Sequence, residues 1–349
     1  MKKIIIPVLA MLVWQSCFVS DKKEVKKDAE GKPMEVNVYS HRHYDVDKEI
    51  FAAFEKETGI KVNVIEDDAD KLMVRLENEG ENSPCDIFMT ADAGRLVKAK
   101  EKGLLQSVNS ETLNNVIPSN LRDTDGQWYG LTVRARVIVY SKERVKPEEL
   151  TTYEDLANPK WKGKLLIRSS DNVYNQSLVA ALIAELGYEK TLEWAKGVVA
   201  NLAREPKGGD RDQMLEIAAG TGDIAVVNTY YIGKLLNSEV ADEVKAGEGI
   251  GVFFPNQNDR GTHINVSGAG IAKNSPNKEN AVKLLEYLVN NESQQKFASG
   301  NHEYPVVNGV EYSDLLKSWG EFKRDSLPLS ELGKHAEEAL KLVGEAGWK

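Results

Sequence analysis

The sequence predicts an α/β protein of two similar lobes joined by two crossing strands. Short β-branched runs alternate with amphipathic segments from Met34 onward, the rhythm of βαβ units that build a parallel sheet covered by helices. The same rhythm restarts at Lys164. Two long extended segments, 127–140 and 262–272, stand where the chain would leave one half and return to it.

The first half opens with Val36–Tyr39 as a strand. Asp47–Glu57 follows as a helix, with Ile50, Phe51 and Phe54 on one face and Gly59 as its stop. Lys61–Ile65 is a second strand, Asp70–Asn78 a second helix, Asp86–Met89 a third strand, and Asp92–Lys102 a helix closed by Gly103. The second half repeats the scheme. Its parts are strand Lys164–Ile167, helices Gln176–Leu186, Glu189–Leu202 and Arg211–Ala219, strand Asp223–Asn228, and a helix from Tyr231. A helix over Lys278–Asn290 and the segment Asn301–Val307 complete the pattern. The expected division is a first lobe over 34–132 with 268–305 returning to it, and a second lobe over 133–267 with 306–349 packed on it.

Residues ahead of Met34 read as an address. Lys2 and Lys3 precede an apolar run, Ile4–Trp14, that is short for a bilayer span. Residues 1–16 are therefore expected to be a signal peptide and 17–33 a charged, flexible tether. Cys17 follows Gln15-Ser16, and its setting resembles a bacterial lipoprotein signal in which the cysteine is acylated. The expected location is the periplasm or cell envelope, with Cys17 as the only link to the membrane.

Composition narrows the function. The 349 residues carry 45 Lys and Arg against 54 Asp and Glu, a formal charge of −9, which disfavours a nucleic-acid ligand because phosphates require a basic face. Two cysteines cannot form a disulfide scaffold or a four-thiolate metal site. Cys85 is expected to be a small buried residue. The sequence contains no G-x-S-x-G elbow, H-E-x-x-H helix, phosphate-binding G-x-x-x-x-G-K-[ST] loop or dinucleotide G-x-G-x-x-G motif.

The informative chemistry is the placement of tyrosines. Tyr44 lies between the first strand and first helix, Tyr174 between strand Lys164–Ile167 and the next helix, and Tyr230-Tyr231 directly after strand Asp223–Asn228. All four are expected in strand-to-helix loops, which gather at the carboxyl ends of the strands, where open α/β sheets bind ligands. Four neutral phenols with a reference pKa of ~10 become useful if they meet a hard trivalent cation, since phenolate oxygen suits ferric ion and the metal displaces the ligand protons. Arg134 and Arg136 alternate along the first crossing strand and share a face, where either would sit behind the phenolates or hold an anion. Tyr39, Tyr140, Tyr188 and Tyr287 fall within regular elements and read as core or rim residues. Asp92 reads as a helix cap, His263 as a structural hydrogen-bonding residue, and His302 and His335 as surface residues.

Four segments carry a family resemblance: His41-Arg42-His43-Tyr44-Asp45, Trp128-Tyr129-Gly130-Leu131 with Arg134, the run from Tyr153 to Gly163, and Asn228-Thr229-Tyr230-Tyr231. Together they resemble bacterial ferric-iron-binding proteins of ABC importers, over roughly Val36 to the last residue. The resemblance implies a two-lobed type II periplasmic binding protein fold with two crossing hinge strands. It also implies Fe(III) as cargo, a synergistic anion such as carbonate, and delivery to an ABC permease and its ATPase by a monomeric receptor that performs no covalent chemistry. Tyr174, Tyr230 and Tyr231 would be ligands from one lobe, and Tyr44 with His43 would come from the other. Two alternatives stay open at this point. One is a receptor of the same fold for a phosphorylated or amine solute, or for a divalent metal held by His41, His43 and His263. The other is a hydrolase using Ser40, His41 or Asp45.

Overall fold

The computed structural model describes residues 34–349 together with Lys27, Ala29 and Gly31. The expected signal peptide and Cys17 lie outside the described residues, as does most of the expected tether. The first half runs β1 (Glu35–Ser40), α1 (Asp45–Thr58), β2 (Lys61–Glu66), α2 (Ala69–Glu79), β3 (Ile87–Thr90), α3 (Ala93–Glu101), β4 (Leu105–Gln106) and α4 (Glu111–Val116). Helix α1 buries Val46, Ile50, Phe51 and Phe54. It ends at Gly59, whose φ of 73° lets its N–H donate to the Glu55 carbonyl at a left-handed cap. Asp68 and Asp92 cap the next two helices by accepting backbone N–H groups.

The crossing strand β5 (Tyr129–Ser141) leads into the second half: β6 (Leu165–Leu166), α5 (Val173–Leu186), α6 (Tyr188–Ala200), α7 (Asp210–Ala218), β7 (Ile224–Asn228), α8 (Thr229–Leu236), α9 (Ala241–Glu248) and β8 (Ile250–Phe253). The chain returns through β9 (Ile264–Ala272) and continues as α10 (Lys278–Leu288), α11 (Asn291–Gly300), β10 (Tyr304–Pro305), α12 (Asp314–Ser318), α13 (Ser330–Lys334) and α14 (Ala336–Glu345).

The strands form one curled sheet in the order β2-β1-β3-β9-β5-β7-β6, with β10 and β8 also on β5 and β4 on β9. It is mixed, with β1–β2, β1–β3 and β6–β7 parallel and β9 antiparallel to both β3 and β5. Strand β5 changes partners along its length, pairing with β9 over Tyr129–Ala135 and with β7 from Arg136 onward. This switch carries the chain from one group of strands to the other, and the Arg136 N–H donates to the His263 carbonyl beside it. All but one residue of β5 and every residue of β7 and β9 are buried, so the polar side chains of Arg134, Arg136, Asn265 and Ser267 are enclosed with the apolar ones. Helix α14 packs on α5 and α6, while α13 touches both α3 and α5. Among the described residues no helix is long and apolar enough to cross a membrane.

Candidate metal centre

Three helix N-termini converge at the carboxyl ends of β1, β6 and β7. Strand β7 stops at Asn228, whose N–H donates to Asp210 Oδ2 at 2.7 Å, and α8 begins at once with Thr229-Tyr230-Tyr231. Asn172 caps α5 by accepting the Tyr174 N–H at 3.0 Å, which fixes Tyr174 in the first turn. Tyr44 occupies the cap position of α1. The sequence placed all four tyrosines in loops. The structure puts three of them inside the first helical turns, since α5 starts at Val173 behind the Asn172 cap and α8 starts at Thr229, directly after β7. Donor-rich helix ends favour anionic oxygen, so these positions would suit a phenolate.

The phenols meet. Tyr174 Oη and Tyr230 Oη are 3.1 Å apart, the Tyr230 and Tyr231 rings lie 4.2 Å apart, and the Tyr44 ring is 6.2 Å from that of Tyr230. Tyr230 is buried, and Tyr44, Tyr174 and Tyr231 are half-buried. Burial raises the Tyr230 pKa well above the ordinary phenol value, with Tyr174 and Tyr44 adding to it. Burial and Tyr174 likewise push Tyr231 up to about 12 and raise Tyr44. Burial thus holds Tyr44, Tyr230 and Tyr231 as neutral phenols, and a trivalent ion would supply the charge needed to ionise them.

Cations flank three of the rings, Lys234 standing 5.4 Å from the centre of the Tyr230 ring. The Arg42 and Lys234 side chains stand 4.8 and 4.1 Å from the centre of the Tyr44 ring, and Arg134 and Arg168 each stand 5.4 Å from that of Tyr174. Arg42 is held by both oxygens of Asp47 at 2.9 and 2.7 Å and by Glu303 at 3.0 Å. Arg134 donates to Ser267 Oγ at 3.2 Å, while its Nε and Nη2 are buried without a hydrogen-bond partner. Arg136 is committed elsewhere, donating to Asp210 at 2.6 Å and Asn175 at 2.7 Å. The two arginines do share a face, lining one narrow space with Tyr174, Asn228, His263 and Asn265.

His43 is exposed, with its ring 5.5 Å from that of Tyr44. His263 is buried among Arg136, Arg134 and Arg260, and burial with these charges lowers its pKa to about 3. His302, read from the sequence as a surface residue, is instead half-buried with Nδ1 unpartnered. Its ring packs so closely on Gly233 that a Cβ there would lie 2.4 Å from it. Among the described residues no three His, Cys, Asp or Glu side chains form a group suited to a metal. The hydrolase trio is not assembled either, since Ser40 Oγ pairs with the Arg42 backbone, His41 Nδ1 faces Thr90 Oγ1 at 3.5 Å, and Asp45 pairs with Lys48.

The match to a family model for bacterial extracellular solute-binding protein spans residues 82–322. The chain belongs to that family. Within it, the chain is 52% identical to iron uptake protein A1 of Synechocystis sp., over 92% of this chain and 89% of that one. A solved structure of FutA from Trichodesmium in complex with iron and citrate ligands superposes with a TM-score of 0.88 at 53% identity, covering 90% of this chain and all of that one. A ferric binding protein from Campylobacter jejuni superposes with a TM-score of 0.86 at 45% identity, over 90% of this chain and all of that one. These neighbours are two-lobed binding proteins, in agreement with the expected fold.

Arg168 and Lys234 were not singled out from the sequence of this family member. Arg168 stands two residues after β6, in the same kind of strand-to-helix connection that flagged the tyrosines, so the rule that found Tyr174 extends to it. Lys234 stands four residues after Tyr230, one turn along the same helix face.

Proposed function

We propose that this chain is an extracytoplasmic receptor that captures Fe(III) with Tyr44, Tyr174, Tyr230 and Tyr231 and hands it to an ABC permease powered by its ATPase. The observation that carries the reading is the convergence of four phenols on three helix N-termini, with Tyr174 and Tyr230 oxygens 3.1 Å apart. The iron-uptake relatives support it. A divalent-metal site would call for a histidine cluster, and a phosphorylated or amine solute for ion-pairing groups rather than four phenols.

Arg134, with two unpartnered buried donor atoms beside Tyr174, is the residue best suited to a synergistic anion such as carbonate. Arg136 supports the site from behind through Asp210, and His43 contributes at its exposed edge. The receptor works as a monomer in the periplasm or envelope, anchored through Cys17 if that residue is acylated, and carries out no covalent chemistry. Its lobes are 34–132 with 268–305 and 133–267 with 306–349. The partner switch along β5 and the packing of α14 on α5 and α6 support this division. Iron draws ligands from both lobes and so favours the closed form, which the transporter reads.

Adding ferric citrate to iron-free protein tests the proposal. A tyrosinate site gives a visible phenolate-to-iron absorption band that saturates at one iron per chain. A colourless protein, or one that binds Zn(II) more tightly than Fe(III), overturns it.

A further inference from the structure

We infer that His302 is a positioning residue that seats α8, and with it the Tyr230-Tyr231 pair, against the Tyr44 segment when the lobes close, an inference that rests on the ferric reading and the lobe division proposed above. His302 follows Asn301, the residue that caps the end of α11, and its φ is 55°. Helices often stop on a left-handed residue of this kind, but that residue is usually glycine, because a side chain is strained there. Here the strained position carries an imidazole that lies on Gly233 of α8, three residues after Tyr230. A Cβ on Gly233 would meet Cγ and Cδ2 of the ring and would lie 2.6 Å from the His302 Cβ, so only a helix face without a side chain admits the histidine. Glycine inside a helix is itself less favourable than alanine. Both partners of the contact therefore give up local stability to make it.

The histidine is held from the Tyr44 side. Gly300, at the end of α11, lies so close to α1 that a Cβ there would stand 2.9 Å from Val46 Cγ2, and Tyr44 occupies the cap of α1. Glu303 accepts from Arg42 Nη1 at 3.0 Å and from Asn301 Nδ2 at 2.8 Å, and the Arg42 guanidinium stands 4.8 Å from the centre of the Tyr44 ring. His302 is thus tied to Tyr44, as Gly233 is tied to Tyr230 and Tyr231 through α8. Its Nδ1 is buried without a hydrogen-bond partner, so the contact on Gly233 is one of shape. Turning the ring about χ1 does not clear a methyl group on Gly233, because the His302 Cβ clashes as well. The two segments must separate instead, since packed contacts do not absorb an added carbon. That separation would draw Tyr44 away from Tyr230, whose ring is 6.2 Å from it, and leave the other three phenols together.

The test follows iron release into excess chelator at the visible band, and the melting temperature of the iron-free protein, for parent, Gly233→Ala, His302→Gly and the double variant. Gly233→Ala is expected to release iron about tenfold faster. Its iron-free melting temperature should be no lower than the parent's, because alanine is the better helix former and open lobes have no clash. His302→Gly keeps the left-handed backbone and removes the ring, and is expected to release iron severalfold faster. Adding Gly233→Ala to it should change the rate by less than about twofold, since the methyl then meets nothing. Parent-like release by either single variant, an equal effect of Gly233→Ala with and without the ring, or a lowered iron-free melting temperature in Gly233→Ala overturns the assignment. A colourless parent brings down the tyrosinate site and this inference with it, whereas a coloured parent with an unchanged Gly233→Ala variant brings down the inference alone.

Discussion

Replacing Tyr230 with Phe excises one oxygen and leaves a buried ring in place, so its effects on folding and on iron can be separated. The ring is 1% exposed and packs against Tyr231 and Tyr44, contacts that Phe retains. What is lost in the iron-free protein is the hydrogen bond shared with Tyr174 Oη at 3.1 Å, a neutral pair contributing about 1 kcal/mol. Removing a buried hydroxyl offsets part of that, so the melting temperature should fall by no more than about 2–4 °C. On the proposed ligand set the ferric protein loses one phenolate of four. Disturbing only the partners of a metal ligand costs 10–100-fold in affinity, so deleting the ligand atom should cost about 100-fold or more. The assay is citrate-competition titration followed at the visible band, with thermal unfolding of the iron-free variant as the folding control. A Tyr230→Phe protein that binds Fe(III) with the parent's affinity and band would refute the ligand assignment. One that unfolds more than 10 °C early would show that the hydroxyl serves the fold.

Four further outcomes can be measured, three of them from the same geometry. Because protons compete with Fe(III) for the phenol oxygens, acidification should release iron, measured as loss of the band between pH 8 and 4 in citrate. In the iron-free protein, Tyr231 is pushed up to about 12 by burial while the unfolded chain ionises near ~10. Its contribution to stability should be present below pH 10 and decline from there to pH 12, visible as a falling melting temperature. Ser177 Oγ donates to Asp92 Oδ2 at 2.7 Å, tying α5 to the start of α3 three residues beyond Tyr174. Ser177→Ala should speed iron release about tenfold in chelator-chase kinetics without shifting the band, since a hydrogen bond to a carboxylate contributes about 1.5–3 kcal/mol. Cys17→Ser should move the protein from the membrane to the soluble fraction. A parent already wholly soluble would remove the lipid anchor and leave the iron site untouched.

The parts of this site that the sequence disclosed were those governed by local rules. Tyr44, Tyr174 and the Tyr230-Tyr231 pair each follow a strand and open a helix, and strand ends converge whatever the rest of the chain does. Asp92 was legible as a cap for the same reason, although its second oxygen also accepts from Ser177 and Asn265, contacts that depend on packing. The mixed direction of the sheet was not legible, because β5 and β9 read alike whether their partners run parallel or antiparallel. Helices α12 and α13 have only five residues each, too short for a helical period to emerge. His302 was misread because its burial depends on Gly233 leaving room for the ring. Lys234 escaped notice because a lysine on an amphipathic helix is ordinarily solvated, and only the tertiary approach of Tyr44 sets its ammonium over a ring of the site.

The most direct test of the central claim is resonance Raman spectroscopy of the ferric-loaded protein, excited within its visible band. Tyrosinate ligation predicts strong enhancement of phenolate ring and C–O modes, diminished in Tyr174→Phe, Tyr230→Phe and Tyr231→Phe. Iron bound with no enhanced phenolate modes, or with modes unaltered in all three variants, would contradict it.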